Sequence, residues 1–254
     1  MLRMNKKYLP FVLIAVGILA VVGVFVSIGS NNKPAPTATP IVEETAPEIP
    51  FDQRPYVSLT PRTDGHWLKL SIMGVNKVAG SATVDYILEY RTSADVNQGV
   101  PGTVQLSGIT NIDRDLLLGS ESSGKFRYDE GVTMGSLTIR FRDKSGKLLG
   151  KLSTDFHLQD YKSTAITSSD NNFTYTLDKA PKKGYFVTLN TMGVPEGVKG
   201  EIAQGPYGVF TSETSAFPGK VTLSGTTVYR WGESKWNTLK GGTSSDLGIF
   251  VSTK

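Results

Sequence analysis

The chain has 254 residues, a formal net charge of +4 at pH 7 and no cysteine. The missing cysteines exclude a disulfide framework and thiolate metal sites. So weak a net charge over this length falls short of the concentrated basic surface that nucleic-acid binding needs. Composition therefore predicts a fold that is held by its apolar core alone and that does not bind nucleic acid.

The first predicted element is an apolar segment at residues 9–29, which contains no charged side chain. Its length matches a helix that crosses a hydrocarbon core of about 30 Å. Three basic residues precede the segment and mainly acidic residues follow it, so the positive-inside rule puts residues 1–8 in the cytoplasm. A cleaved secretory signal is the alternative interpretation. Either way the sequence predicts export, and the first interpretation makes the chain a single-pass protein of the cell membrane with extracytoplasmic C-terminal domains.

A proline-rich stretch follows the apolar segment. Residues 31–50 contain five prolines together with threonine, alanine and glutamate. Such a composition cannot bury a core and favours extended polyproline II conformations. Residues 30–53 are therefore predicted to be a linker that holds the folded part away from the membrane.

Beyond the linker, apolar residues recur with a period of two. Short runs such as YVSLT, WLKLSIM and SLTIRF are rich in β-branched and aromatic residues, and glycine, asparagine, aspartate or proline separates them. No segment of this part sustains an amphipathic helical period over three turns. The pattern predicts an all-β fold built of sandwiches or barrels.

An internal repeat divides the predicted β region into two units. The segment that starts at Tyr56 resembles the segment that starts at Tyr175, at a constant offset of 119 residues, and three further segments match in the same order. Each unit has about seven short strands, the scale of an immunoglobulin-like or fibronectin-like sandwich, although the Cys…Trp…Cys core of immunoglobulin domains is absent. The sequence thus predicts two tandem β-sandwich domains, at residues 54–160 and 161–254.

The second unit has no counterpart to one apolar stretch of the first. Residues 147–159 follow the last matched segment of the first unit, whereas the second unit stops at Lys254. If this stretch is the last strand of the first sandwich, the second sandwich has an open edge that accepts a strand from a partner. The alternatives are that residues 147–159 connect the domains, or that the second sheet is complete without such a strand.

Two tryptophans flank a short polar turn in VYRWGESKWNTL, residues 228–239. The repeat aligns both with apolar positions of the first unit, which favours a cross-strand pair that packs against the core. The other interpretation is an aromatic surface that stacks on a sugar ring or contacts a partner protein. The candidate contact residues are Tyr229, Arg230, Trp231 and Trp236.

No pattern in the sequence predicts catalysis, a cofactor or a metal site. His66 and His157 lie 91 residues apart and have no accompanying cysteine. Asp113 and Asp115 would share one face of a strand with Asn111 and could contribute to a Ca²⁺ site, but a polar strand edge is the simpler interpretation. A phosphate-binding loop is also absent. We therefore expect no catalytic residue, no cofactor and no metal, and the protein is predicted not to be an enzyme.

These features together predict a membrane-anchored, extracytoplasmic, non-enzymatic module for protein interaction. Its role would be adhesion or scaffolding in the cell envelope, and its partner would be another envelope or surface protein. The alternative is a carbohydrate-binding module that tethers the membrane to cell-wall or surface polysaccharide through Tyr229, Trp231 or Trp236.

Overall fold

A computed structural model describes residues 46–254, and the regular structure in this range is β-strand apart from three short 3₁₀ turns. The all-β prediction is confirmed, and the strands of the described range pair antiparallel. The predicted cytoplasmic segment, the predicted span at residues 9–29 and most of the predicted linker lie outside the described residues. Between residues 46 and 254, no helix has the length and apolar character needed to cross a membrane.

The strands are numbered in chain order. The first nine are β1 (Tyr56–Pro61), β2 (Trp67–Met73), β3 (Thr83–Arg91), β4 (Asn97–Gln105), β5 (Asn111–Leu117), β6 (Gly119–Ser122), β7 (Lys125–Tyr128), β8 (Met134–Arg142) and β9 (Leu148–Asp160). The other nine are β10 (Ala165–Thr167), β11 (Thr174–Leu177), β12 (Tyr185–Asn190), β13 (Ile202–Phe210), β14 (Gly219–Thr222), β15 (Thr227–Gly232), β16 (Lys235–Leu239), β17 (Thr243–Ser244) and β18 (Ile249–Thr253).

One large sheet contains strands from both predicted repeats. Its nine strands lie in the order β16-β15-β18-β13-β12-β9-β8-β3-β4. A three-stranded sheet, β1-β2-β5, and a four-stranded sheet, β10-β11-β14-β17, accompany it, and β6 and β7 form a separate hairpin. The long strand β9 joins the two halves because it pairs with β8 on one side and with β12 on the other.

The two small sheets cover opposite faces of the nine-stranded sheet. Val187 and Leu189 of β12 belong to the core that contains β1, β2 and β5, whereas Phe186 belongs to the core that contains β10, β11 and β14. Successive side chains of a strand point to opposite faces of a sheet. Each half is therefore a sandwich of one small sheet on part of the large sheet, and β12 contributes to both cores.

The aligned strands β2 and β12 have different neighbours, and their sequences explain the difference. In β2, Lys69 is exposed and the apolar residues alternate, which suits a strand with one solvated face. In β12, Thr188 takes the aligned position, and four consecutive residues are buried. A strand that is buried on both faces lacks the outward charge of a half-exposed strand. Accordingly, β2 lies between β1 and β5 in a small sheet, while β12 lies between β9 and β13 in the large one.

The open-edge hypothesis for the second repeat is wrong, because the strand that it left with a free edge is paired on both sides. The stretch at residues 147–159 is β9, a strand and not a connector. Its neighbour β8 corresponds to β18, which the hypothesis left with a free edge. In the structure β18 pairs with β13 on one side and with β15 on the other. The position that a partner's strand would take is thus filled by β15 of the same chain.

Strand β4 forms one edge of the large sheet, and Pro101 lies in its middle. At one end of the β3–β4 pair, the amide of Thr92 donates to the carbonyl of Val96. At the other end, the amide of Leu106 donates to the carbonyl of Ala82. Even-numbered residues of β4 therefore bond to β3, and the nitrogen of Pro101 is on the open side. Because proline lacks an N–H there, it protects this edge from pairing with another strand.

Candidate functional site

Strands β15 and β16 form a hairpin, here called the second hairpin, and its two tryptophans form the predicted cross-strand pair. Trp231 of β15 lies opposite Trp236 of β16, with ring centroids 5.4 Å apart and ring planes at 63°. Both side chains are half-buried and neither belongs to a core cluster, so the predicted packing of the pair against the core is not seen. The indole Nε1–H of Trp236 donates to the carbonyl oxygen of Glu196 at 3.0 Å. The pair is therefore fixed to the loop that precedes β13.

The four predicted contact residues do not share one surface. Tyr229 and Trp231 are two positions apart in β15 and lie on the same face, together with Trp236. Arg230 points to the opposite face, where its Nη1–H donates to the Ser245 hydroxyl at 3.0 Å. The three aromatic residues can therefore act together, whereas Arg230 cannot join them in one contact.

A second aromatic surface, which the sequence reasoning missed, lies on the β6–β7 hairpin. Phe126 and Tyr128 are 46% and 40% exposed. The imidazole of His66 stacks parallel to Tyr128 with centroids 4.2 Å apart, and Trp67 meets Phe126 edge-on at 5.6 Å. We call His66, Trp67, Phe126 and Tyr128 the aromatic patch. Its two exposed members, Phe126 and Tyr128, lie parallel with ring centroids 6.3 Å apart.

Charged and polar bonds hold the aromatic patch in place. The guanidinium of Arg62 lies over the Trp67 ring, 4.8 Å from its centroid, and bonds the carboxylate of Asp115 at 2.8 Å. At the base of the hairpin, the Tyr90 hydroxyl donates to Asp129 at 2.9 Å. Burial and this hydrogen bond to Asp129 raise the pKa of Tyr90 well above its ordinary value, so the phenol stays protonated. The patch is therefore a preorganised surface.

One sequence signal does point to the patch. In the repeat alignment Phe126 corresponds to Trp236, and the alternation in KFRY puts Phe126 and Tyr128 on one face of β7. The sequence interpretation chose the second hairpin instead, because it contains two of the three tryptophans. What sequence cannot show is exposure: Trp236 is anchored to a loop through Glu196, whereas the β7 side chains are all exposed.

The acidic side chains considered for Ca²⁺ are engaged in ion pairs. Asp113 and Asp115 share the outer face of β5, as the alternation predicts. Asp115 pairs with Arg62 at 2.8 Å, and Asp113 pairs with Lys69 at 3.5 Å. No group of three or more potential metal ligands occurs within residues 46–254. The aspartates of β5 therefore form ion pairs within the three-stranded sheet β1-β2-β5, and Asp115 connects that sheet to the aromatic patch through Arg62.

The two histidines have unrelated surroundings. His66 stacks on Tyr128 in the aromatic patch, and the Nδ1 atom of His157 lies 2.9 Å from the carbonyl oxygen of Thr167. The second contact joins β9 to β10, so His157 helps to hold the four-stranded sheet against the large one.

Comparisons with known protein families, with curated proteins and with solved structures found no significant match.

Proposed function

We propose that this chain is a membrane-anchored, extracytoplasmic, non-enzymatic module that binds another envelope or surface protein through the aromatic patch. The observation that carries the proposal is the exposure of Phe126 and Tyr128 on a hairpin whose other contacts hold it rigid. Contiguous exposed apolar side chains mark interaction sites, and tyrosine and tryptophan are frequent among residues that dominate binding energy. A preorganised surface also loses little conformational entropy on binding.

At the nine-stranded sheet, a side-chain contact is a better mechanism than strand addition, because neither of its edge strands suits pairing with another chain. Pro101 blocks the middle of edge strand β4, and β18 has both of its edges paired. Strand β16, at the other end of the large sheet, spans only five residues and begins with Lys235. Short, charged or proline-containing edges discourage pairing with another chain.

The proposal includes the membrane topology and the domain organisation. Residues 9–29 would span the membrane, with residues 1–8 in the cytoplasm, and residues 30–53 would be a stalk. Residues 54–160 and 161–254 would be duplicated sandwich units of the immunoglobulin or fibronectin kind that share the nine-stranded sheet. In the repeat alignment β18 corresponds to β8, and β13 pairs with β18 as β3 pairs with β8. This shared pairing supports the duplication.

The test is crosslinking of the full-length protein in its own membrane, followed by mass spectrometry of the attached proteins. The double variant Phe126→Ala, Tyr128→Ala should reduce the recurrent crosslink to one surface protein by at least about tenfold. The matched control is Lys125→Ala, Arg127→Ala, because these side chains lie on the opposite face of β7. Equal loss in both variants, or an unchanged crosslink in the aromatic variant, would contradict binding through the patch.

Carbohydrate binding is the second candidate, and the parallel packing of His66 and Tyr128, with planes 8° apart, favours it. Flat, exposed rings suit stacking on a sugar. The chain has three tryptophans, one in the patch and two in the second hairpin. Fluorescence titration with surface polysaccharide in single-tryptophan variants separates the sites. A fluorescence change confined to Trp67 indicates binding at the patch, and a change at Trp231 or Trp236 indicates binding at the second hairpin. No fluorescence change at any tryptophan argues against carbohydrate binding and favours the protein contact.

A further inference from the structure

A cavity of about 570 Å³ lies next to the second hairpin and apart from the aromatic patch. Four segments form its wall: the 3₁₀ turns at Phe51–Gln53 and Val75–Lys77, the loop that follows β12, and the first residues of β13. A volume of this size is typical of sites for small organic ligands. The cavity is thus large enough to hold a small organic ligand.

The body of the cavity is apolar. Phe51, Val194, Val198, Ile202 and Ala203 supply its hydrocarbon wall. Phe51 is 36% exposed although it is a large apolar residue, and Val198 and Ile202 are only half-buried. A ligand that enters would therefore remove apolar surface from water on both sides of the contact, which favours an aliphatic or aromatic group.

The charged residues of the wall favour a positive ligand. Asp52 and Glu196 are exposed, and among residues 46–254 neither has a cationic side chain within ion-pair distance. Lys77 also lines the cavity, but its ammonium donates to the carbonyl oxygen of Val194 at 3.3 Å. Arg54 lies 5.8 Å from the centroid of the Phe51 ring, but its charge is paired with Glu48 at 3.3 Å. Among the lining side chains, two carboxylates against one ammonium leave a net negative charge, which attracts cations.

We propose that this cavity binds an organic cation with an apolar body. The hydrocarbon part lies against Phe51, Val198 and Ile202, and the ammonium or guanidinium group lies at the side of Asp52 and Glu196. This site is independent of the aromatic patch, so its failure in a test would leave the proposed protein contact untouched.

The structure supplies an internal reporter of occupancy. Glu196 lines the cavity, and its carbonyl oxygen accepts the indole N–H of Trp236. A ligand that moves or orders this loop changes the environment of that indole N–H. Trp67 lies in the aromatic patch and serves as the unresponsive control, and a Trp236→Phe variant assigns the resonance.

The experiment is an NMR titration of the full chain in detergent micelles with three probes of one shape: phenethylammonium, 2-phenylethanol and 3-phenylpropionate. The cation should shift the Trp236 indole resonance saturably with a Kd of about 1 mM, as expected for fragments of this size. The neutral probe should bind about tenfold more weakly, and the anion more weakly still. The Trp67 resonance should not move.

Two sets of variants locate the binding. Asp52→Asn with Glu196→Gln should remove the preference for the cation over the neutral probe, whereas the control Glu130→Gln should keep it. The backbone at Gly197 tolerates a side chain, because a Cβ there meets no heavy atom within 4 Å and the residue is outside the left-handed region. Since Gly197 lines the cavity, Gly197→Trp should block all three probes. Equal affinity for the three probes, no saturable binding, or undiminished binding in Gly197→Trp would overturn the proposal.

Discussion

Tyr175 shows how one buried polar group links stability to pH. Its side chain is fully buried, and its hydroxyl donates to the carbonyl oxygen of Phe217 at 2.7 Å. Burial raises the pKa of Tyr175 to about 12, from about 10 in the unfolded chain. A raised pKa means that the stabilisation is complete below pH of about 10 and is lost as the pH rises toward 12.

We predict that Tyr175→Phe lowers the free energy of unfolding by about 1 kcal/mol at neutral pH, because the bond to Phe217 is lost. The same variant should lose less stability than the wild type between pH 10 and pH 12, since it has no phenol to ionise. Urea denaturation at a series of pH values measures both effects, with Tyr161→Phe as an exposed control. An alkaline loss in the variant as steep as in the wild type would show that another group titrates.

At the residue scale, alternation and the turn allow the sequence to predict that Trp231 and Trp236 face each other, and the structure confirms the pair. Alternation also implies that Arg230 faces the other way, yet the sequence interpretation grouped it with the aromatic residues. The bond from Trp236 to Glu196 joins residues 40 positions apart. No local pattern specifies such a contact, because it depends on how the loop folds over the hairpin.

Strand β9 is the element on which both halves depend. Leu152, Phe156 and Leu158 pack in the first core, with Phe156 fully buried. The opposite face of β9 contacts β10 through His157. It also hydrogen-bonds to β8 and to β12. A defect in β9 therefore weakens the first core and the pairing with two neighbouring strands, one in each half.

We predict that Phe156→Ala lowers the free energy of unfolding by about 3–5 kcal/mol, the range for removal of a buried aromatic ring. Asp155→Ala is the matched control, because Asp155 is exposed on the opposite face of β9, and it should change stability by about 0.5 kcal/mol or less. Native-state hydrogen exchange should show weaker protection in β8 and in β12 alike. Loss confined to β8 would mean that the two halves unfold separately.

The sequence predicts strand positions well and strand partners poorly. The period-two runs correspond to strands, but the repeat suggests equal neighbours for β2 and β12, which the structure does not show. The sequence does indicate this difference, because Thr188 of the second repeat aligns with Lys69 of the first. The outward charge that a solvated face would carry is therefore missing from β12. Which strand then covers β12 depends on pairing over long sequence separations, and periodicity carries no information about that.

For the whole molecule, the shared sheet makes each half incomplete by itself. The described residues, 46–254, lie in one compact unit. Val187 and Leu189 follow β9 in the chain but are buried in the first core. A separated second half would expose these side chains and would leave β12 without the hydrogen bonds to β9. The cost falls on both halves, because the first core would lose the same residues.

We predict that a cut in the exposed turn at residues 161–164 leaves two fragments that stay associated. The fragment of residues 162–254 should show no cooperative unfolding when it is isolated, since it lacks β9. Addition of the fragment of residues 46–161 should restore a single cooperative transition, which circular dichroism measures, in a 1:1 complex that analytical ultracentrifugation detects. Two fragments that fold separately and do not associate would show that the two sandwich units are independent domains and that the β9–β12 pairing contributes little to their stability.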